Sequence, residues 1–165
     1  GGPLATFRSL LHIIVHALTK SAIFVTLGHV SHVAGSQSIA KIRGLIHTQP
    51  AVGWCFLIGT VALAGFPPFG IFTSEFLLFT ATMKSYPWLV IPLLSGLAVA
   101  FAGLFRHMQL MVYGDAPEGQ VAVQANMWPV ILHLLVVLWL GISIPAVLVD
   151  WLDQATVMVV GRGVL

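Results

Sequence analysis

Apolar positions run so long along this chain that the interruptions carry the information. Residues 4–28 form a near-continuous apolar run interrupted only by Arg8, His12, His16, Lys20 and small hydroxyl residues. At ~1.5 Å per residue, a helix of that length spans a bilayer core of roughly 30 Å. The first polar stretch is 29–49, HVSHVAGSQSIAKIRGLIHTQ, in which Gly35, Ser36 and Gln37 mark a loop and IAKIRGLI reads as a short interfacial segment. Pro50 then suits the first turn of a new helix.

The next apolar block, 51–83, is 33 residues long, too long for one straight helix and too short for two ordinary spans with a loop. The breaker GFPPFG falls near its middle. Pro67 and Pro68 lack the backbone N–H, so carbonyls about a turn earlier lose their partners, and with Gly70 they define a helix break. The block is either a hairpin of half-spans or one discontinuous helix over 50–84. Residues 88–113 predict a further span, with Trp88 and Tyr113 placed for the two interfaces. Residues 114–126 are the clearest polar loop, 127–149 the last span and 150–165 an interfacial tail. The pattern predicts an all-α integral membrane protein, a single membrane region over 1–165 with about four transmembrane helices, or five if the middle block is a hairpin.

Composition fixes the solvent: 58% of the residues are hydrophobic, 7% are charged and the mean hydropathy is +1.00. Charged helix faces able to meet water cannot be assembled from so few charges. A net charge of +2 arises from scattered Lys and Arg and few acids, which does not suggest nucleic acid as a partner. The lone Cys55 excludes an internal disulfide and a cysteine metal cluster. Lys41, Arg43 and Arg106 favour one side of the membrane as cytoplasmic against Arg8, Lys84 and Arg162, a thin margin. The opening GGPLATFRSLLH has no initiator Met and no signal-peptide pattern, and reads as the middle of something longer.

Arg8, His12, His16 and Lys20 recur every four residues. On a helix they form a stripe about 18 Å long with a drift of ~40° per step. A Lys within the membrane costs roughly 2.5–3.5 kcal/mol and therefore faces protein or water and has a partner. The alternative is a snorkelling Lys20 beside histidines satisfied by backbone or hydroxyl groups. Glu75 is the one acid inside an apolar segment, about two turns beyond the double proline. Broken membrane helices place ion sites at such breaks, so Glu75 is either a buried carboxylate that loads and releases protons or a surface Glu near a helix start capped by Thr73 or Ser74. His29 and His32 share a helix end without a third ligand, His133 reads as a satisfied polar contact and His107 as interfacial. No nucleotide loop, zinc signature or iron–sulfur cysteine set is present, so neither a cofactor nor a metal is expected.

The run HIIVHALTKSAIFVTLGH followed by IRGLIHTQPAVGWCFLIGTVALAGFPPFGIFTSEFLLF resembles the proton-conducting, antiporter-like membrane subunits of respiratory complex I, multi-subunit cation/proton antiporters and group 4 membrane-bound hydrogenases. HALTKS and PPFGIFTSEF look most like the hydrogenase-4 component F branch. The resemblance is good over residues 1 to about 113 and looser beyond. It implies the last third of a subunit of about 14 transmembrane helices built as two inverted repeats. Lys20, His16 and His12 then match the central hydrophilic relay, and Glu75 the terminal proton carrier on the broken helix. It further implies proton translocation, no cofactor in this chain, other membrane subunits and a peripheral redox arm (hydrogenase or dehydrogenase) as partners beside membrane lipids, and a bacterial or archaeal cytoplasmic (inner) membrane location. The first repeat, with its own Glu and Lys pair, is absent from these residues. Sodium/proton antiport, or a structural subunit whose polar residues only join helices, are the alternatives.

Overall fold

The computed structural model describes residues 2–116 and 125–164, so the centre of the expected polar loop lies outside the described residues. Among those described there are seven α-helices and no strand: α1 Pro3–Ala34, α2 Leu45–Thr48, α3 Pro50–Leu63, α4 Gly70–Ser85, α5 Val90–Tyr113, α6 Trp128–Ile142 and α7 Ala146–Val160. Single 3₁₀ turns at Ile39–Lys41 and Pro87–Leu89 lead into α2 and α5.

α1 is the central helix, packed on α3, α4, α6 and α7. Its buried ridge is Leu11, Val15, Thr19, Ala22, Thr26 and Val30. The two threonines are tolerated there because each hydroxyl donates to the carbonyl four residues earlier, Thr19 to Val15 at 2.7 Å and Thr26 to Ala22 at 2.8 Å. The helix runs six residues past the expected end at 28 and takes in His29 and His32. Nothing in HVSHVA breaks it. The stop is Gly35, left-handed at φ 57, with its N–H on His32 and the Ser36 N–H on Ser31, the paired bonds of a glycine-terminated helix.

Two apolar clusters flank α1. One joins its C-terminal half to α2, α3, the end of α5 and the start of α6 through Val30, Leu45, Val52, Phe56, Met108 and Val130; the other joins Leu11 and Val15 to Ile71, Leu140 and Leu152. The second brings α4, α6 and α7 against the half of α1 that carries His12 and His16.

Two segments, Pro3–Ala34 and Pro87–Tyr113, are long and apolar enough to cross a membrane singly, and α6 with α7 qualifies only as a pair bent by 80°. The expected continuous helix over 127–149 is therefore corrected: it ends at Ile142, and most of the expected interfacial tail is the helix α7. The cause is local. Ser143 is extended (φ −150, ψ 128) and Pro145 caps α7, and Ile144 between them precedes a proline, a position disfavoured in the helical region.

The interruption between α3 and α4 occupies residues 64–69 and contains a cis Pro67–Pro68 bond. The helix stops before the prolines. Gly65 is left-handed at φ 72, its N–H reaches Ala62 and the Phe66 N–H reaches Val61, the same ending as at Gly35. Gly70 is the first residue of α4, and the close approach there explains its lack of a side chain. A Cβ at 70 would lie 2.8 Å from Val15 Cγ1 and 3.3 Å from the Val137 carbonyl, and one at Gly141 would overlap the Pro68 carbonyl. The break is thus held between α1 and α6. The Thr73 hydroxyl adds a hydrogen bond to the Gly141 carbonyl at 3.0 Å.

Candidate functional site

α1 and α4 run antiparallel, with Val15 beside Gly70 and His12 beside Ser74. At the far end Arg8 and Lys84 line one cleft of about 260 Å³ with Thr80 and Ser85. Each step along α1 matches one step back along α4, so Lys20 falls at the level of the break.

The stripe lies one residue round from the buried ridge of α1, on the order of 60–100° away. Arg8, His12 and His16 are half-buried and Lys20 is exposed, which corrects the expectation of a Lys20 buried within these residues. The cause is that α4 begins only opposite Val15, so the face of α1 that carries Lys20 has no helix laid over it here. His12 and His16 stack, ring centres 5.3 Å apart and 17° from parallel. His12 Nδ1 lies 2.9 Å from the Ser74 hydroxyl oxygen, and that hydroxyl donates to the Ile71 carbonyl at 2.8 Å. Ser74 is 1% exposed, which shields both bonds from competing water.

Glu75 follows Ser74 and is turned about 100° away from His12. Helical side chains tilt toward the N-terminus, and the Glu75 carboxylate reaches back over the first turns of α4 until Oε2 lies against Gly65, where a Cβ would take its place. Its surroundings are the end of α3 and the start of α4, one offering carbonyls and the other N–H groups within an apolar layer. Glu75 is half-buried. The structure therefore joins His12, His16 and Ser74 in one cluster and sets Glu75 on the helix break beside it, with Lys20 a turn beyond His16. A group that accepts and releases protons and a carboxylate at a break are a combination suited to moving protons or small cations.

Residues 4–102 match the model of a transmembrane family described as NADH:quinone oxidoreductase/Mrp antiporter. The chain belongs to this family. The match covers α1 to α4 and about half of α5, and so includes the whole cluster and the break. Curated relatives of this antiporter-like family are similar along more of the chain. One is a hydrogenase-4 component F homolog of Methylacidiphilum infernorum, 35% identical over 158 residues, which are 96% of this chain and 33% of the relative. Another is a Na(+)/H(+) antiporter subunit of Alkalihalophilus pseudofirmus, 31% identical over 110 residues, 67% of this chain and 22% of the relative. The chloroplastic NAD(P)H-quinone oxidoreductase subunit 5 of Physcomitrium patens is 32% identical over 126 residues, 71% of this chain and 17% of the relative. The chain thus spans about a third of the length of the first and less of the others.

Two residues of the site carried little sequence signal. Ser74 stands out only once α1 and α4 are paired, since its partner is 62 residues away. Gly141 is one small residue in an apolar run. Gly65 was readable: a glycine two residues before a proline pair at the end of an apolar helix is where a left-handed cap belongs.

Proposed function

We propose that this chain is the proton-conducting part of a membrane subunit of a hydrogenase-4 or complex I type oxidoreductase. Lys20 receives a proton through His12 and His16, and Glu75 passes it toward the outer face. In this reading α3 and α4 cross the membrane as one discontinuous helix, which with α1, α5 and the bent α6–α7 pair makes four crossings. Pro67, Pro68 and Gly70 hold its break. The observation that carries the reading is the meeting of the stacked His12–His16 pair with α4 at Ser74, next to a carboxylate lying on Gly65. Family membership and the similarity to a hydrogenase-4 component F homolog support it.

Relatives about three times as long leave room for the exposed face of Lys20 to meet further helices. A cation of this kind is costly against lipid, roughly 2.5–3.5 kcal/mol at a helix centre. Other membrane subunits and a peripheral hydrogenase or dehydrogenase arm are the partners this reading requires, and the bacterial or archaeal cytoplasmic membrane is its location. The decisive experiment is proton pumping by the intact assembly in membrane vesicles. Lys20→Ala and Glu75→Gln each lower pumping tenfold or more, with the subunits still assembled. Normal pumping in both variants removes the assignment.

Similarity to a relative named as part of a Na(+)/H(+) antiporter favours a second reading, the same path working in sodium/proton exchange. Sodium-dependent pH changes in vesicles, set against ionophore controls, separate the two.

A further inference from the structure

The stacked histidines are chemically unequal. Both are half-buried, but among the described residues His12 alone of the two has a side-chain hydrogen bond to a fixed group on another helix, the Ser74 hydroxyl. A serine hydroxyl has one hydrogen and two lone pairs. Ser74 directs that hydrogen at the Ile71 carbonyl, 2.8 Å away within its own helix turn. Its oxygen therefore has only lone pairs to offer His12, and the 2.9 Å contact is satisfied when Nδ1 bears the hydrogen and donates. In the neutral ring the other nitrogen, Nε2, is then the acceptor.

We infer that Ser74 is a positioning residue that holds neutral His12 with its hydrogen on Nδ1, so that protons enter and leave this histidine only at Nε2. The inference rests on the proton-relay reading above and gives it a direction. A proton arriving at Nε2 produces the imidazolium, whose Nδ1–H stays on Ser74. For the proton to leave instead through Nδ1, the Ser74 oxygen would have to pass its own hydrogen on to the Ile71 carbonyl. That is an amide oxygen, already the end of its hydrogen-bond chain. The step has no onward acceptor, so Nδ1 is closed as an exit and the proton returns through Nε2. Ser74 thus separates His12 from a direct path down α4, although Glu75 is its neighbour in sequence. Transfer to Glu75 passes around the ring, through water at Nε2 or through His16. Burial of Ser74 at 1% exposure keeps water from reorienting the hydroxyl.

The test uses histidine ¹⁵N labelling of the full subunit in its assembly, read by solid-state NMR at about pH 9, where an ordinary imidazole is neutral. His12 is assigned by its loss in His12→Asn. The expected result is a protonated Nδ1 and an unprotonated Nε2 for His12. Ser74→Ala transfers the hydrogen to Nε2, the form imidazole prefers when unconstrained, and Ser74→Thr, which keeps the hydroxyl, restores Nδ1–H. Pumping falls several-fold in Ser74→Ala and recovers to at least half in Ser74→Thr. His12 with its hydrogen on Nε2 in the unaltered protein overturns the inference. So does an unchanged tautomer in Ser74→Ala, whatever happens to pumping, because loss of pumping alone fits a merely structural serine. Normal pumping in Lys20→Ala and Glu75→Gln would instead remove the relay reading and leave the tautomer measurement standing on its own.

Discussion

Gly65 meets two demands at one position. Its left-handed backbone ends α3, and its bare Cα gives the Glu75 carboxylate a place to lie. A Gly65→Ala chain incurs roughly 1–2 kcal/mol for a left-handed non-glycine residue and must also move Glu75 off the break. We expect the intact assembly to lose stability by about that amount and to pump several-fold more slowly. We also expect the double variant with Glu75→Gln to pump no worse than Glu75→Gln alone, because both changes act through one carboxylate. Additive losses in that cycle would show that Gly65 acts elsewhere. Thr60 offers the opposite case. Thr19, Thr26 and Thr156 each donate to a carbonyl four residues back, whereas the buried Thr60 hydroxyl has no hydrogen-bond partner among the described residues. Valine keeps its shape and removes the orphan, so Thr60→Val leaves stability unchanged or raises it by about 1 kcal/mol. A clear loss of stability in thermal unfolding would reveal a bound water or partner at that hydroxyl. At this scale the sequence carried the spacing of His12, His16 and Lys20 but not their burial. Spacing is a property of one helix, and burial depends on where α4 begins beside it.

The elements are held where glycines let helices touch. Gly70 fits under Val15, and Gly141 fits against the Pro68 carbonyl, so the break is fixed from two sides and its orientation belongs to α1 and α6 as much as to its own prolines. Gly141→Ala places a methyl group on that carbonyl and forces α6 away, taking with it the hydrogen bond from Thr73. Overpacking of this kind costs typically 1–3 kcal/mol. The expected result is a less stable subunit and a break more open to protease or to thiol labelling at an introduced cysteine near residue 66. Labelling no faster than in the unaltered protein would show that α6 does not hold the break. The interruption at GFPPFG was legible because two prolines and two glycines fall within a few residues. The one at 143–145 was equally present in Pro145 but hidden by apolar residues on both sides, since hydropathy averaged over a span does not register a bend of 80°. The chain past Lys20 misled in the other direction: polar residues at 29–34 suggested a loop, yet polar side chains do not end a helix whose backbone meets no breaker before Gly35.

Across the whole molecule, the apolar surface left uncovered by these helices is as informative as the core. Over an 18-residue stretch of the α5 span only 6% of the residues are buried, although the mean hydropathy there is 2.2, and Ile91 and Val99 are 72% and 74% exposed. Water does not tolerate such a face over 27 residues, and lipid or neighbouring transmembrane helices do. Val99 lies near the midpoint of the span, about 17 Å along the helix from Trp88, which is itself 67% exposed and suited to the interface. A positive charge there is expensive: Val99→Arg should weaken membrane insertion of the Pro87–Tyr113 segment by roughly 2.5–3.5 kcal/mol, the cost of Arg at a helix centre. Ile91→Arg, close to Trp88, should cost much less, because the long side chain can reach the headgroup region. Insertion of the segment into microsomal membranes, scored by glycosylation on either side, measures both. Equal penalties at the two positions, or none at Val99, would mean that α5 lies along the surface and would remove one crossing from the four-crossing topology proposed above.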